Sequence, residues 1–287
     1  MEKFYIITNS VKDPAMEMAG FVRQYLTKKG KTCIIQEQTP VGNGRHYRYT
    51  DAARIPEDVD CVLVVGGDGT LLQACRDLGE KDIPLLGINM GTLGYLAEID
   101  RQNVQPALDR LIRDEYVVER RMMLEGTVRR KAKRLMEDMA LNDIVIGRDG
   151  KLRIIDFNIY VNGEFLNSYS ADGIIVSTPT GSTGYSLSAG GPIVSPEASL
   201  ILLSPIAPHT LNTRSIILPD DVEITVELKE GHRGAAEGAV ATFDGDTCVS
   251  LGCGDRVIIR RSGRCARLVK INNISFLEVL RKKMSGQ

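Results

Sequence analysis

The sequence predicts an α/β protein, with an N-terminal α/β domain built on a parallel sheet and a C-terminal, mostly antiparallel β domain. Three observations lead to this prediction. Apolar runs alternate with helical segments as far as residue 120, which is typical of a parallel sheet. Beyond that point apolar and polar residues alternate singly, as they do in antiparallel strands. The chain of 287 residues is long enough for two domains.

The N-terminal domain, assigned to residues 1–120, begins with an apolar strand at Phe4–Thr8. Asp13-Pro14 is a favourable helix start and Gly30 a favourable helix end, so the segment between them is predicted to be helical. Lys31–Gln36 is the next predicted strand. This strand–helix–strand order predicts parallel pairing.

The stretch Gly66-Gly67-Asp68-Gly69-Thr70 lies between the apolar runs Cys61–Val65 and Leu71-Leu72, which predicts a strand, a tight turn and a helix. Glycines let backbone N–H groups approach an anion closely, and the helix dipole favours negative charge there. We therefore predict that Gly66, Gly67, Gly69 and Thr70 bind phosphate. The alternative is that Asp68 only caps the helix and the glycines only turn the chain.

A second glycine-rich segment, Asn89–Tyr95, follows the apolar run Ile83–Ile88. Ligands of open parallel sheets bind beyond the carboxyl ends of the strands, so both glycine-rich turns are expected at that edge. Asp100 is then predicted to cap a helix. Its apolar positions are Val104, Leu108, Leu111 and Ile112.

The C-terminal domain is assigned to residues 121–270. Ile155–Val161 alternates apolar and polar residues, and Asn162-Gly163 supplies a two-residue hairpin turn. Further alternation marks Val222–Leu228, Val240–Phe243 and Arg256–Arg260 as strands. The last segment, 271–287, contains a short amphipathic helix that could pack on either domain.

Composition excludes several classes of protein. Lysine plus arginine (36) nearly balance aspartate plus glutamate (37), so no overall field attracts nucleic acid or an anionic membrane. The basic cluster 129–134 has no interleaved aromatic residues and is better explained as a solvated hairpin tip. The six cysteines form no C-x-x-C pair, so no structural zinc site is predicted, and the protein is expected in a reducing cytoplasm. No apolar run has the length of a signal peptide or membrane span.

The segment Ala171–Pro192 is the richest in hydroxyl groups and glycines. Such side chains suit hydrogen bonding to a polyhydroxylated, phosphorylated ligand, and Tyr185 offers a ring to an adenine face. The alternative is an ordinary surface loop. Likewise, Asn142-Asp143 could be either a ligand-binding pair or a turn.

Several known motifs are absent from the sequence. It contains no P-loop, no G-x-G-x-x-G after the first strand, no protein kinase signature and no G-x-S-x-G nucleophile elbow. P-loop enzymes, Rossmann dehydrogenases and protein kinases are therefore excluded, and a serine hydrolase is disfavoured.

Five motifs together resemble the NAD kinase family. They are GGDGT (66–70), MGTLGYL (90–96), LND (141–143), ADGIIVSTPTGSTGYSLSAGGPI (171–193) and APHTLNTRSIIL (207–218). GGDGT alone is less specific, because diacylglycerol kinases and phosphofructokinases also have it. The resemblance implies transfer of the ATP γ-phosphoryl group to the 2′-hydroxyl of the adenosine ribose of NAD, with Mg²⁺ or another divalent metal. No metal-binding side chain is predicted.

The resemblance also implies roles for individual residues. Asp68 matches the proton acceptor and Gly69 its NAD-contacting neighbour, while Asp172 matches an acidic residue near the nicotinamide end. Asn142 and Asp143 match a pair that holds the adenosine part, with Asp143 where glutamate is more usual. The other residues assigned to NAD binding are Tyr95, Arg153, Thr180, Thr183, Gly184, Tyr185, Ser188, Ala207 and Asp246.

Two departures from the family pattern concern recognition of nicotinamide. Ser170 stands where many bacterial members have arginine, and Asp246 where glutamine is common. The resemblance further implies a homodimer or homotetramer with shared sites. Two other functions remain open at this point: a lipid or sugar kinase that shares GGDGT, and a module that binds NAD without turning it over.

Overall fold

The computed structural model describes residues 1–8, 13–37, 50–91, 94–150, 154–209, 213–230, 238–272 and 274–285. The chain forms two compact units, one of residues 1–120 with 266–287 and one of residues 121–265. The first has a parallel sheet flanked by helices and the second has antiparallel strands, which confirms the predicted fold class.

The first unit is organised around parallel strands in the order β2-β1-β3-β4. They are β1 (Lys3–Thr8), β2 (Thr32–Ile35), β3 (Cys61–Gly66) and β4 (Leu85–Asn89). All residues of β3 and β4 are buried, because helices cover the sheet. The predicted strands at Phe4–Thr8, Lys31–Gln36, Cys61–Val65 and Ile83–Ile88 are thus confirmed within a few residues.

The helices of this unit follow the predicted order. They are α1 (Asp13–Lys28), α2 (Asp68–Asp77) and α3 (Val104–Ile112), with a 3₁₀ turn at Ala52–Arg54 and a C-terminal helix at Phe276–Met284. Gly30, just beyond α1, has a φ of +77°, the left-handed conformation typical of helix ends. Asp100 is not the N-cap of α3, because the helix begins later, after Asn103. Its carboxylate instead accepts the backbone N–H groups of Gln102 and Asn103, each at 2.9 Å.

The core of the first unit fills the space between the sheet and the helices. Apolar side chains of the strands pack against one face of α1 and one face of α3. Fully buried members include Phe4, Ile6, Leu63, Leu86, Ile88, Ala19, Val22, Leu26 and Leu111.

The second unit consists mainly of antiparallel strands. The strand bounds are β5 (Val117–Arg130), β6 (Lys133–Ala140), β7 (Asp143–Arg148), β8 (Ile155–Val161), β9 (Glu164–Ala171), β10 (Gly173–Ser177), β11 (Leu200–Ile206), β12 (Ile216–Pro219), β13 (Ile224–Leu228), β14 (Ala239–Phe243), β15 (Thr247–Leu251) and β16 (Arg256–Lys270). Strands β5 and β16 each have one end in the first unit. One sheet has the order β12-β11-β10-β7-β14-β15, and a second contains β16-β13-β8-β9.

Two hairpins show how local sequence determines these strands. Val161 pairs with Glu164 across Asn162-Gly163, whose φ angles are both positive (51° and 80°), as the predicted two-residue turn requires. The basic cluster 129–134 forms the tip of the β5–β6 hairpin. Within the described ranges, no helix combines the length and apolar character needed to cross a bilayer.

Candidate active site

The glycine-rich turn lies where β3 ends and α2 begins. Its glycines lie in two different environments. A Cβ atom on Gly66 would lie 2.6 Å from Oγ1 of Thr70, so only glycine lets the helix start pack on the strand end. Among the described residues, no atom would lie within 4 Å of a Cβ atom on Gly67 or Gly69. Of the predicted phosphate-binding residues, Gly67 and Gly69 therefore face open space, whereas Gly66 and Thr70 pack against each other.

Asp68 holds in place the end of the next glycine-rich segment and the two residues that follow it. Its Oδ2 atom accepts the backbone N–H of Tyr95 at 2.7 Å, and Oδ1 accepts those of Leu96 and Ala97 at 3.3 and 3.0 Å. It makes no capping hydrogen bond to α2, whose N-cap is Gly67. The alternative in which Asp68 is merely a helix cap does not match this structure. The carboxylate is instead fixed in one orientation by three amides that belong to another segment.

A cavity of about 580 Å³ lies over this turn. Its lining includes Asp68 and the exposed glycines, together with the end of β4, the start of α1 and one residue of the C-terminal helix. The lining residues are Pro14, Ala15, Gly66, Gly67, Asp68, Thr70, Asn89, Met90, Gly91, Gly94 and Lys283. Both glycine-rich turns thus meet at the carboxyl edge of the parallel sheet, as predicted. Thr92 and Leu93 of the second motif lie outside the described residues.

In the second unit, Asp244 fixes the LND motif. Its carboxylate accepts the backbone N–H groups of Leu141 and Asn142, both at 2.8 Å, and of Asp143 at 3.1 Å. Asp244 lies in the turn between β14 and β15 and has a φ of +49°, a conformation that aspartate tolerates better than most residues. Sequence reasoning missed this residue, although the Asp244-Gly245 pair is a turn signal.

The hydroxyl-rich segment packs directly against the LND motif. The Thr178 hydroxyl donates to the carbonyl oxygen of Leu141 at 2.6 Å and accepts the N–H of Gly181 at 3.1 Å. A Cβ atom on Gly181 would lie 2.2 Å from the carbonyl oxygen of Asn142, so this contact requires glycine. Thr180, which is buried, accepts a hydrogen bond from Arg121 at 3.3 Å. The structure therefore brings Asn142 and Asp143 together with the 3₁₀ turn Thr180–Thr183.

Asp143 is a buried carboxyl group, only 6% exposed. Burial, with a further contribution from the negative charge of Asp244, raises the pKa of Asp143 to about 7. Asp143 therefore keeps its proton to a higher pH than an ordinary aspartate, and in that protonated form it can donate a hydrogen bond as well as accept one.

A separate cleft of about 420 Å³ in the second unit contains two more predicted site residues, Asp172 and Tyr185. Oδ1 of Asp172 is 3.2 Å from Nε of Arg148 in an ion pair that sequence reasoning did not identify. Tyr185 begins a short helix, Tyr185–Ser188, and its side chain is 47% exposed. The tyrosine ring and the Arg148–Asp172 pair thus border the same cleft.

The remaining predicted residues are distributed as follows. Thr183 donates its hydroxyl to the carbonyl oxygen of Thr180 at 3.2 Å, and Gly184 follows with its N–H bonded to the carbonyl oxygen of Gly181. Ser188 and Ala207 are exposed, and Ala207 has a φ of +42°. Asp246 lies in the β14–β15 turn, and the Ser170 hydroxyl donates to Asp156. Arg153 lies outside the described residues.

Comparison with known proteins gives the family. A model described as "ATP-NAD kinase N-terminal domain" matches residues 4–116, and one described as "ATP-NAD kinase C-terminal domain" matches residues 141–271. A protein of Lachnospira eligens named NAD kinase is 50% identical over 293 residues, covering 99% of this chain and 100% of that one. The chain belongs to the NAD kinase family. A second member, from Lachnoclostridium phytofermentans, is 43% identical over 289 residues and is covered in full.

Solved structures of the NAD kinase family share the fold. The crystal structure of yeast NADH kinase complexed with NADH has a TM-score of 0.86 and 25% identity, covering 99% of this chain and 88% of that chain. An NAD kinase from Archaeoglobus fulgidus in complex with ATP has a TM-score of 0.78 and 24% identity, covering 99% of both chains.

Proposed function

We propose that this protein is an NAD kinase that transfers the γ-phosphoryl group of ATP to the 2′-hydroxyl of the adenosine ribose of NAD, producing NADP and ADP. The main support is the 50% identity to a full-length protein named NAD kinase. Further support comes from the yeast NADH kinase that binds NADH and the archaeal NAD kinase that binds ATP.

Asp68 is the proposed proton acceptor. The 2′-oxygen attacks the γ-phosphorus, the bond from that phosphorus to the β–γ bridging oxygen breaks, and the hydroxyl proton passes to the Asp68 carboxylate. Phosphoryl transfer depends mainly on alignment and charge stabilisation. Three amides fix the orientation of this carboxylate, and its position in the cavity wall leaves it accessible to a ligand. The N–H groups of Gly67 and Gly69 are the proposed phosphate ligands.

The adenosine part is assigned to the second unit. Asn142, Asp143, Thr183, Tyr185 and Ser188 are the proposed contacts, with Tyr185 stacking on adenine. Asp244 and Thr178 support this assignment because they hold the LND motif and the hydroxyl segment in a fixed arrangement. Asp172 is assigned to the nicotinamide side, where Arg148 limits its movement.

The residues of the cavity fit a Mg²⁺ site in which most ligands would come from the phosphates of the bound nucleotide. Among the described residues, no group of three or more His, Cys, Asp or Glu side chains is placed to hold a metal. Mg²⁺ commonly binds through one or two carboxylates together with substrate phosphates. Asp68, the carboxylate in the cavity lining, is the residue that would contribute to such a site. Bound there, the ion would neutralise charge on the triphosphate.

Incubating the purified protein with NAD, Mg²⁺ and ATP and assaying NADP tests the proposed function. Parallel reactions replace NAD by a diacylglycerol or a sugar phosphate, and calorimetry measures NAD binding without ATP. NADP formation is expected. NAD binding without NADP would indicate a sensing module, whereas ADP release only with the other acceptors would indicate a lipid or sugar kinase.

We further infer a cytoplasmic homodimer or homotetramer with shared sites. The support is the family resemblance. If subunits complete each other's sites, dilution should lower specific activity in step with dissociation. Full activity in a monomer demonstrated by light scattering under assay conditions would contradict this.

A further inference from the structure

The C-terminal helix, Phe276–Met284, lies against Tyr95, the residue whose backbone N–H donates to Asp68. Ser275 caps it by accepting the N–H of Glu278 at 3.2 Å. The ring centroids of Phe276 and Tyr95 are 6.4 Å apart, and Nζ of Lys283 is 5.7 Å from the centroid of the same Tyr95 ring. Phe276 and Lys283 are seven residues, or two turns, apart and so share one helix face. This face brings Lys283 to the cavity.

Lys283 and its neighbour Lys282 differ in their charge partners. Nζ of Lys282 is 3.0 Å from Oε1 of Glu278, an ordinary i,i+4 pair on the helix surface. Within the part of the chain that the structure describes, no ion pair with a carboxylate holds Lys283. Its contact with the Tyr95 ring positions the ammonium group but does not neutralise its charge.

The cavity has a polarity suited to a phosphate chain. Of the described residues that line it, Lys283 is the single cationic one. Asp68 is the one carboxylate among these described lining residues, and three backbone amides donate to it. Open space at Gly67 and Gly69 allows close backbone approach, and a lysine opposite such a turn adds a point charge for phosphate oxygens.

Building on the proposed function, we propose that Lys283 is a phosphate-binding residue of the donor site and that it binds the triphosphate of ATP. The C-terminal helix thereby forms part of the donor site. The pyrophosphate of NAD offers the same chemistry, so the experiment must distinguish the two ligands.

The test compares Lys283→Met, which keeps the length of the side chain without its charge, with Lys282→Met as the matched control. For Lys283→Met, the Kd of ATP measured by calorimetry without NAD and the KM for ATP are expected to rise about ten- to a hundredfold, the usual effect of losing a hydrogen bond to a charged group. The KM for NAD should stay within about twofold. Inorganic tripolyphosphate should compete with ATP in the wild type and much more weakly in Lys283→Met. Lys282→Met should match the wild type, and Lys283→Arg should retain most of the affinity.

Equal ATP affinity in Lys283→Met and Lys282→Met would overturn the proposal, as would a rise in the KM for NAD alone. Melting temperatures of both variants check that the helix is intact. Because ATP binding is measured without turnover, the comparison tests Lys283 even if the wild type forms no NADP. That last result would contradict the proposed function instead.

Discussion

A Cβ atom added to Gly94 would lie 2.0 Å from Oδ1 of Asp68. No other described glycine shows a closer approach to a side chain. The space occupied by the carboxylate exists because residue 94 has no side chain. The orientation of Asp68 therefore depends on Gly94 as well as on the amides of residues 95–97.

Gly94→Ala should displace the Asp68 carboxylate and lower kcat for NADP formation, because overpacking forces one of the two groups to move. Gly20→Ala is the control and should remain fully active, because Gly20 lies on α1 and no atom of the described residues is within 4 Å of the added Cβ atom. If Gly94 acts through Asp68, Gly94→Ala should cost little further activity in an Asp68→Ala background. Wild-type kcat in Gly94→Ala would contradict this relationship.

Tyr185→Ala should weaken NAD binding by about 1–3 kcal/mol, the range for losing an aromatic ring stacked on a base. The ring is 47% exposed beside the cleft that contains Asp172, so it is accessible to a ligand. Tyr185→Phe keeps the ring and is expected to keep most of the affinity. Unchanged NAD affinity by calorimetry in Tyr185→Ala would refute the assignment of this residue to adenosine.

Asp143→Asn should alter the pH dependence of stability. Burial and Asp244 raise the pKa of Asp143 to about 7 in the folded protein, compared with about 3.9 in an unfolded chain. From about pH 4 to pH 7 the native state retains a proton that the unfolded state loses, so this group lowers the free energy of unfolding as pH rises.

The variant lacks this titration, so it should gain stability relative to the wild type on going from pH 5 to pH 8. Urea denaturation of both proteins at both pH values measures the difference. A wild-type-to-variant difference that is the same at pH 5 and pH 8 would contradict the raised pKa.

The parts of the fold predicted correctly depend on local sequence. The apolar run Cys61–Val65 followed by glycines predicts β3, the turn and α2 because strand burial, turn and helix start are all local. Asn162-Gly163 likewise predicts the β8–β9 hairpin. Local sequence alone gave the wrong cap for α3. Asp100 and Asn103 are both good capping residues, and the residue types do not say which of them precedes the helix.

The unpredicted parts of the site depend on contacts between distant residues. Asp244 binds the amide of Leu141 across 103 positions of sequence, and nothing near Asp244 in the chain indicates that partner. Gly94 must be glycine because of a side chain 26 residues earlier in the sequence. Arg148 can be recognised as the ion-pair partner of Asp172 only in the folded structure, where the two side chains meet. Sequence motifs identified which segments carry polar residues, but not which side chains hold those segments in place.

Asp68→Asn separates the two functions assigned to Asp68. Asparagine keeps one accepting oxygen, which can still bind the amides of Leu96 and Ala97, but its NH₂ group cannot accept the N–H of Tyr95. If Asp68 had only a structural function, Asp68→Asn should therefore lower the melting temperature and weaken ligand binding. A titration with Mg²⁺ adds a further distinction, because excess metal should partly rescue a lost metal contact but not a lost proton acceptor.

The kcat of Asp68→Asn for NADP formation, measured with saturating NAD, ATP and Mg²⁺, tests the central claim most directly. We predict a drop of about 10²–10⁴-fold that remains at saturating Mg²⁺, with NAD affinity nearly intact, the expected result of removing a positioned general base. Retention of more than about a third of wild-type turnover, far above what loss of a general base allows, would contradict the assignment of Asp68 as the proton acceptor.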